Sequence, residues 1–426
     1  MTRSQVKLLF LSSIGGALEF YDFVIYALFA SYISFAFFPQ TDPVASLINT
    51  YAVFAVGYIG RPIGSIVFGH LGDRYGRKYA FTIAAFLMAS STFLIGLLPT
   101  YQQIGLPATF LLILLRIMQG ISLGGEIGGV TVFVTEHVAA HKRGLTSGLI
   151  FMAIAFGNVL GSLVGFILTH TLSESNLLAW GWRIPFWIGF ILGIVAYLIR
   201  KKTIETPIFS ALQENKKYRY PFIALVRFSF PQILIGISLT ALPGVTFALL
   251  MYVPNYMSVV FNYSAQNTFS NNIIAFLLVS VFSAVFGWIS DYIGRKQLIM
   301  IASLLTLFFA YYLFDSLITT HNILIFDMGI AFLAAMTNGC YACAIAEQFK
   351  TEIRYTGLAF SLNVGITIFA AITPVASMML FNLTRDFSAP IYFLAVCAGI
   401  NLIGAMLLKR TQLRYIEPAM DSAVSS

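Results

Sequence analysis

Apolar residues run through this chain in long stretches broken by short polar turns. The stretches cover 8–38, 47–71, 79–98, 107–135, 144–169 and 184–199, then 223–251, 267–290, 298–318, 322–346, 355–382 and 390–408. A helix crossing a ~30 Å hydrocarbon core needs about 20 apolar residues, whereas a barrel strand needs about ten of alternating polarity. These runs are long and do not alternate, so they predict an all-α integral membrane protein with twelve transmembrane helices. Residues 200–222, RKKTIETPIFSALQENKKYRYPF, are the only long polar segment inside the chain. They form a linker between a six-helix bundle at 1–199 and a second at 223–408, with a polar tail at 409–426 that shows no heptads. The first run is too long for a cleavable leader and contains charges, which predicts a retained helix.

Composition agrees with the pattern. Of 426 residues, 58% are hydrophobic and 10% charged, with a mean hydropathy of +0.84; such a chain cannot clothe a soluble surface. The net charge of +8 would suggest nucleic acid in a soluble protein, but twenty of the 25 Lys and Arg fall in alternate loops, the tails and the linker. That is the positive-inside distribution. It predicts cytoplasmic termini, membrane lipid rather than nucleic acid as the surrounding partner, and the inner membrane of a bacterium as the location. Cys340, Cys343 and Cys397 all lie within apolar runs, which predicts free thiols. The C-x-x-C at 340–343 has no neighbouring His in the sequence and reads as small packing residues. All five His lie near span ends, and the chain has no H-E-x-x-H, G-x-S-x-G or Walker A pattern. No catalytic residue, metal site or cofactor is expected, and the chain is not read as an enzyme.

Two charged turns repeat. Residues 69–78 read GHLGDRYGRK and 287–296 read GWISDYIGRK, an offset of 218 that is close to half the chain. The halves are therefore read as related. Glycine lets the helix ends turn and the Arg and Lys stay on the watery side. The pattern resembles the loop between the second and third helices of the major facilitator superfamily and its repeat between the eighth and ninth. That resemblance implies the superfamily's fold of two pseudo-symmetric bundles. It also implies a conformational gate of Gly69, Asp73, Gly76 and Arg77 with Asp291, Gly294 and Arg295, in which the aspartate caps a neighbouring helix and the arginine pairs across the half.

The first half places charges where they are costly. Glu19 lies about 16 Å along the first span from Leu8, near mid-membrane, and Asp22 follows on the same face with Tyr26 beyond it. An ionised acid at that depth costs several kcal/mol, so each must be protonated, paired or facing water. Arg61 stands eight residues before the first charged turn, about 12 Å inside the membrane face, flanked by Gly57, Gly60, Pro62 and Gly64. A guanidinium cannot be discharged, so it must meet Glu19, Asp22 or a carboxylate of a substrate. The fourth span reads RIMQGISLGGEIGG at 116–129, with Arg116, Gln119 and Glu126 able to line a cavity. Its Arg116, Gln119 and Gly120 match an R-x-x-Q-G motif of superfamily carriers that is linked to proton coupling. The second half is far poorer in buried charge, with Asp315 and Asp327 near outer span ends. Its cavity contribution is read as neutral: Tyr252, Asn255 and Tyr256 around Pro254, Asn338 and Tyr341, and Asn363. Gly157, Gly161 and Gly165 form a small-residue row for helix contact.

LEFYDF at 18–23, RPIGSIVFGHLGDRYGRK at 61–78, WGWRIPF at 180–186 and ETPIF at 205–209 resemble the metabolite:proton symporter family. Its members carry proline/betaine, alpha-ketoglutarate, citrate or shikimate. Phe20 stands where that family usually has Trp. The resemblance implies proton-coupled import of a small organic solute by a monomeric carrier. A zwitterionic osmolyte such as proline or betaine comes first and a di- or tricarboxylate second. A carrier-like receptor is a more distant alternative. Proton coupling is assigned to Glu19, Asp22, Arg116 and Glu126, and solute binding to Arg61, Phe20, Tyr26, Gln119, Tyr252, Asn338 and Tyr341.

Overall fold

The computed structural model describes residues 3–39, 43–75, 77–125, 128–132, 138–202, 221–260, 264–320, 322–350, 353–384 and 390–408. The linker from 203 and the tail from 409 lie outside the described residues. Among the described residues ten helices are long and apolar enough to span a membrane, a bent pair makes up to eleven, and Thr82–Leu97 is a shorter apolar helix. The first half contains α1 (Arg3–Leu28, continued by Ala30–Phe37), α2 (Pro43–Tyr75), α3 (Arg77–Leu97), α4 (Leu106–Gly124), α5 (Arg143–Thr171) and α6 (Ile184–Lys202). The second contains α7 (Phe230–Ser238 and Ala241–Val260), α8 (Ala265–Ile293), α9 (Arg295–Thr320), α10 (Ile323–Asn338 and Tyr341–Ala346), α11 (Arg354–Thr384) and α12 (Pro390–Leu407). The end holding Arg143, Arg295, Lys296 and Arg354 is called the basic face below.

Between membrane helices no hydrophobic force acts, so close packing and hydrogen bonds hold the bundle. Small residues supply the packing. A methyl at Gly60 of α2 would stand 2.6 Å from the Ile117 carbonyl oxygen of α4, and one at Gly64, Gly120 or Gly124 would run into facing backbone. The two halves meet along two seams, α5 on α8 and α2 on α11. In the first, Gly144 and Gly148 lie directly on Gly287 and Ser283. The 157–161–165 row serves different neighbours: Gly157 and Gly161 pack on α1 and Gly165 on the Phe269 ring of α8.

Among the described residues, three spans are interrupted rather than straight. The first span bends by 63° at Phe29, which leaves helical geometry while its ring packs 5.2 Å from that of Phe269. The seventh span begins at Phe230, not 223, because Pro231 sits in the first turn of that helix and Arg227 belongs to a separate short helix, Pro221–Phe228. The same span breaks again before Pro243, whose missing N–H frees the Leu239 carbonyl. Asn401 of α12 donates to that oxygen at 2.9 Å. α10 breaks at Gly339, which touches α8 backbone at Gly287 and Ser283. Broken backbone at membrane depth is tolerated where neighbours satisfy it or a cavity is lined.

Candidate functional site

A cavity lies between the halves at the level of these breaks. The first half supplies Phe20 of α1, Tyr58 and Arg61 of α2, and Phe151 and Asn158 of α5. The second supplies Gly244 and Phe247 of α7, Phe276 of α8, and Asn338 and Tyr341 at the α10 break. Aromatic edges close across the seam: Phe20 meets Phe247 at 5.5 Å and Phe151 meets Tyr341 at 5.0 Å between ring centroids. Arg61 is the one cation on the wall among the described residues, and no carboxylate lines it there. The side chain of Arg61 is 1% exposed, and its Nη2 has no hydrogen-bond partner. Its Nε donates to Asn363 Oδ1 of α11 at 3.1 Å, and the guanidinium lies 5.2 Å from the Tyr58 ring centroid. Sequence reasoning gave this arginine to a carboxylate of the protein or of a solute; here an amide of the opposite half holds it.

Arg116, Gln119, Tyr26 and Asp22 gather in a second site inside the first half, off the cavity. Arg116 donates from Nη1 to Gln119 Oε1 at 2.6 Å and to the Phe23 carbonyl at 3.3 Å. Its guanidinium lies 4.5 Å from Phe23 and 4.3 Å from Tyr26 ring centroids, while Nε and Nη2 have no partner. Gly57 leaves the space for it, since a Cβ there would stand 3.3 Å from Nε. Gln119 in turn donates to Thr92 Oγ1 of α3 at 2.8 Å. Asp22 is fully buried, and neither carboxylate oxygen accepts a hydrogen bond. Its oxygens face Gly189 and Gly193 of α6, where a Cβ at Gly189 would collide with Oδ1. Phe23 joins the two sites, because Arg61 lies 5.7 Å from the same ring.

The remaining candidates fall elsewhere. Tyr252 lies toward the face opposite the basic one, with its ring 5.7 Å from Tyr51, whose hydroxyl donates to the Met251 carbonyl at 3.3 Å. Glu126 and Gly76 lie outside the described residues, as do the side chains of Glu19, Asp73, Arg77, Asn255 and Tyr256. Asp327 is fully buried in α10, with both oxygens unbonded. Tyr58, Phe23 and Asn158 were not singled out from the sequence. Tyr58 precedes Arg61 by one helical turn, a spacing that could have found it.

Contacts between the halves flank the cavity on both sides. On the basic face, Asp291 of α8 accepts from the Gly144 and Leu145 amides at 2.8 and 2.9 Å, which seats a carboxylate on the N-terminus of α5. Arg295 pairs with Asp291 and with Glu347, each at 3.3 Å. Gly294, at φ +94°, makes the turn between them. A Cβ at Gly69 of the first repeat would stand 4.0 Å from the Tyr355 ring, and the Tyr355 hydroxyl donates to the Gly125 carbonyl at 2.7 Å. On the opposite face, Gln266 of α8 donates to the Thr169 carbonyl of α5 at 3.0 Å.

The family model described as sugar (and other) transporter matches residues 8–220. A glycine betaine/proline/ectoine/pipecolic acid transporter of Dickeya dadantii is 34% identical, covering 97% of this chain and 85% of its own. The chain belongs to the sugar (and other) transporter family of the major facilitator superfamily. A citrate-proton symporter of Klebsiella pneumoniae is also similar, at 31% identity over 93% of this chain and 90% of its own. The superfamily fold is further shown by a solved proton:xylose symporter bound to 6-bromo-6-deoxy-D-glucose, which matches with a TM-score of 0.76 at 18% identity over 94% of each chain. This superfamily protein is thus an integral membrane transporter, and its two bundles enclose the cavity at their interface, where carriers of this fold hold their solutes.

Proposed function

We propose that this transporter imports a zwitterionic solute of the proline or betaine kind together with protons, by alternating access. The observation that carries the reading is the cavity itself: one guanidinium with a free Nη2, facing aromatic rings from both halves. Arg61 would take the solute carboxylate through charge-assisted hydrogen bonds. Phe20, Phe247, Phe276 and Tyr341 offer π faces and apolar surface to a quaternary or secondary ammonium. The Dickeya relative's named solutes have this chemistry. A tricarboxylate, suggested by the citrate-proton symporter, brings more negative charge than a single arginine can match.

Asp22 is the proton carrier in this reading. A carboxylate with no hydrogen bond, in a membrane interior, is held at low cost only as the neutral acid. Its loss of the proton needs water or a cation; Arg116 of α4, in the same site, has two unpaired nitrogens. Glu19 and Glu126 are retained as further candidates. α1 carries Asp22 on one face, Phe20 on the cavity wall and Phe23 against Arg61, so movement of α1 on protonation reaches the solute site directly. The positive-inside distribution supports cytoplasmic termini and the inner bacterial membrane. The carrier acts as a monomer in lipid and performs no chemical conversion.

The test is uptake of labelled glycine betaine into proteoliposomes under an inward proton gradient without sodium. Gradient-driven accumulation that Asp22→Asn loses, while solute exchange persists, is expected. Accumulation of citrate but not glycine betaine would reverse the solute assignment, and unchanged accumulation by Asp22→Asn would move the proton elsewhere.

A further inference from the structure

α11 presents one stripe to the first half. Tyr355, Ala359, Asn363 and Thr367 are spaced by four and so share a helix face. Each of them meets first-half backbone or side chain. Tyr355 donates to the Gly125 carbonyl, and Ala359 lies against Gly128, where a Cβ would stand 2.6 Å from its own. Asn363 Nδ2 donates to the Gly124 carbonyl at 2.8 Å while its Oδ1 accepts from Arg61. Thr367 Oγ1 lies 2.8 Å from the Tyr58 carbonyl and 2.7 Å from the Asn363 carbonyl of its own helix, so its one proton is shared between the two. The Tyr58 carbonyl is available because Pro62, four residues on, has no N–H to offer it.

The stripe runs from the basic face, at Tyr355, to the level of the cavity, at Thr367. Asn363 follows Arg354, at the start of α11, by nine residues, or ~13 Å. When the basic side opens, α11 must leave α2 and α4, so every bond of the stripe breaks. The other bonds of the stripe are made to backbone carbonyls of the first half. The bond to Arg61 differs, because Arg61 is also on the cavity wall. A guanidinium offers its donors in a rigid fork. A carboxylate approaching Nη2 from the cavity and taking Nε as its second donor turns that fork away from the neutral amide, and the charged acceptor outcompetes the neutral one.

We propose that Asn363 is the bolt of the inner gate and positions Arg61, so that a solute carboxylate arriving at Arg61 displaces the Asn363 amide and releases α11 from the first half. The proposal rests on the reading of Arg61 as the solute's anion site. It makes solute binding itself the trigger for inward opening, through one side chain that belongs to the opposite half.

Spin labels at Lys142→Cys and Lys350→Cys, both exposed on the basic face on opposite halves, report the gate by their distance distribution, with Cys340, Cys343 and Cys397 changed to Ala. Without solute, Asn363→Ala should raise the ratio of open to closed distances about tenfold, within the range of a two-state coupling. Asn363→Asp, which gives Arg61 a permanent carboxylate, should stay closed and raise the KM for glycine betaine at least about tenfold. Adding glycine betaine to the parent should shift distances toward open. A solute-free distribution in Asn363→Ala equal to the parent's overturns the bolt, and so does opening by Asn363→Asp equal to that by Asn363→Ala, since a merely loosened fold would not separate the two. If the solute-free results hold but glycine betaine neither binds nor shifts the parent, the bolt stands and the solute assignment fails.

Discussion

Two arginines of the first half are both embedded, yet their surroundings assign them different work. Arg61 faces the cavity with a free nitrogen, whereas Arg116 is enclosed by Phe23, Tyr26 and Gln119. Replacing Arg61 by Ala removes a charged partner of the solute, an interaction of about 1.5–3 kcal/mol. The expected result is a rise of roughly 10–100-fold in the KM for glycine betaine, measured by initial uptake rates, with a smaller change in the maximal rate. Asp22 gives a second residue-level test. Its carboxylate occupies the space left by Gly189, so Gly189→Ala must displace it or push α6 away from α1, an overpacking cost of about 1–3 kcal/mol. Proton-driven accumulation should fall several-fold while glycine betaine exchange falls less; equal losses would mean that α6 merely packs there. That Arg61, Arg116 and Asp22, all three buried, stand within apolar runs was legible in the sequence. Which way each pointed was not. That depends on the rotation of α1, α2 and α4 about their axes, which the glycines of α2 and α4 set through contacts no spacing rule specifies.

At the scale of elements, proline places carbonyls where distant helices use them. Pro62 frees Tyr58 for Thr367, and Pro243 frees Leu239 for Asn401. The sequence shows Pro62 beside Arg61, but Thr367 lies 309 residues from Tyr58 and no local pattern joins them. The broken α10 was likewise read as one continuous span, since Gly339 reveals its purpose only against α8. Because Pro62→Ala supplies an N–H to the carbonyl that Thr367→Val leaves without a donor, the two changes act on one oxygen. Their effects on the ratio of open to closed Lys142–Lys350 distances should not add: the double variant should open no further than Thr367→Val alone, with a coupling of about 1 kcal/mol. Strict additivity would show that Thr367 holds α11 by some other contact.

The whole molecule divides charge unequally. The first half holds Arg61 and Arg116, and the second meets Arg61 with the Asn363 amide, so closing the halves completes the environment of Arg61. The same logic runs in reverse at the basic face, where the second half supplies the charge: Asp291 sits on the N-terminus of α5 and is tied by Arg295 to Glu347. Among the described residues, each half thus carries a charged group with a partner in the other, Arg61 on Asn363 and Asp291 on the N-terminus of α5, and the closed state on that side is stabilised from both. Asp291→Asn keeps the shape but removes the charge that the α5 N-terminus and Arg295 both favour, worth about 1–2 kcal/mol in such partly buried geometry. The carrier should then rest more open on the basic face, by a factor of about five to thirty in the distance ratio. With opening no longer dependent on solute, glycine betaine should shift the ratio less than in the parent. If Asp291→Asn leaves the solute-free ratio unchanged while Asn363→Ala shifts it, the gate is held by the α11 stripe alone and the Asp291 pairings follow closure rather than support it.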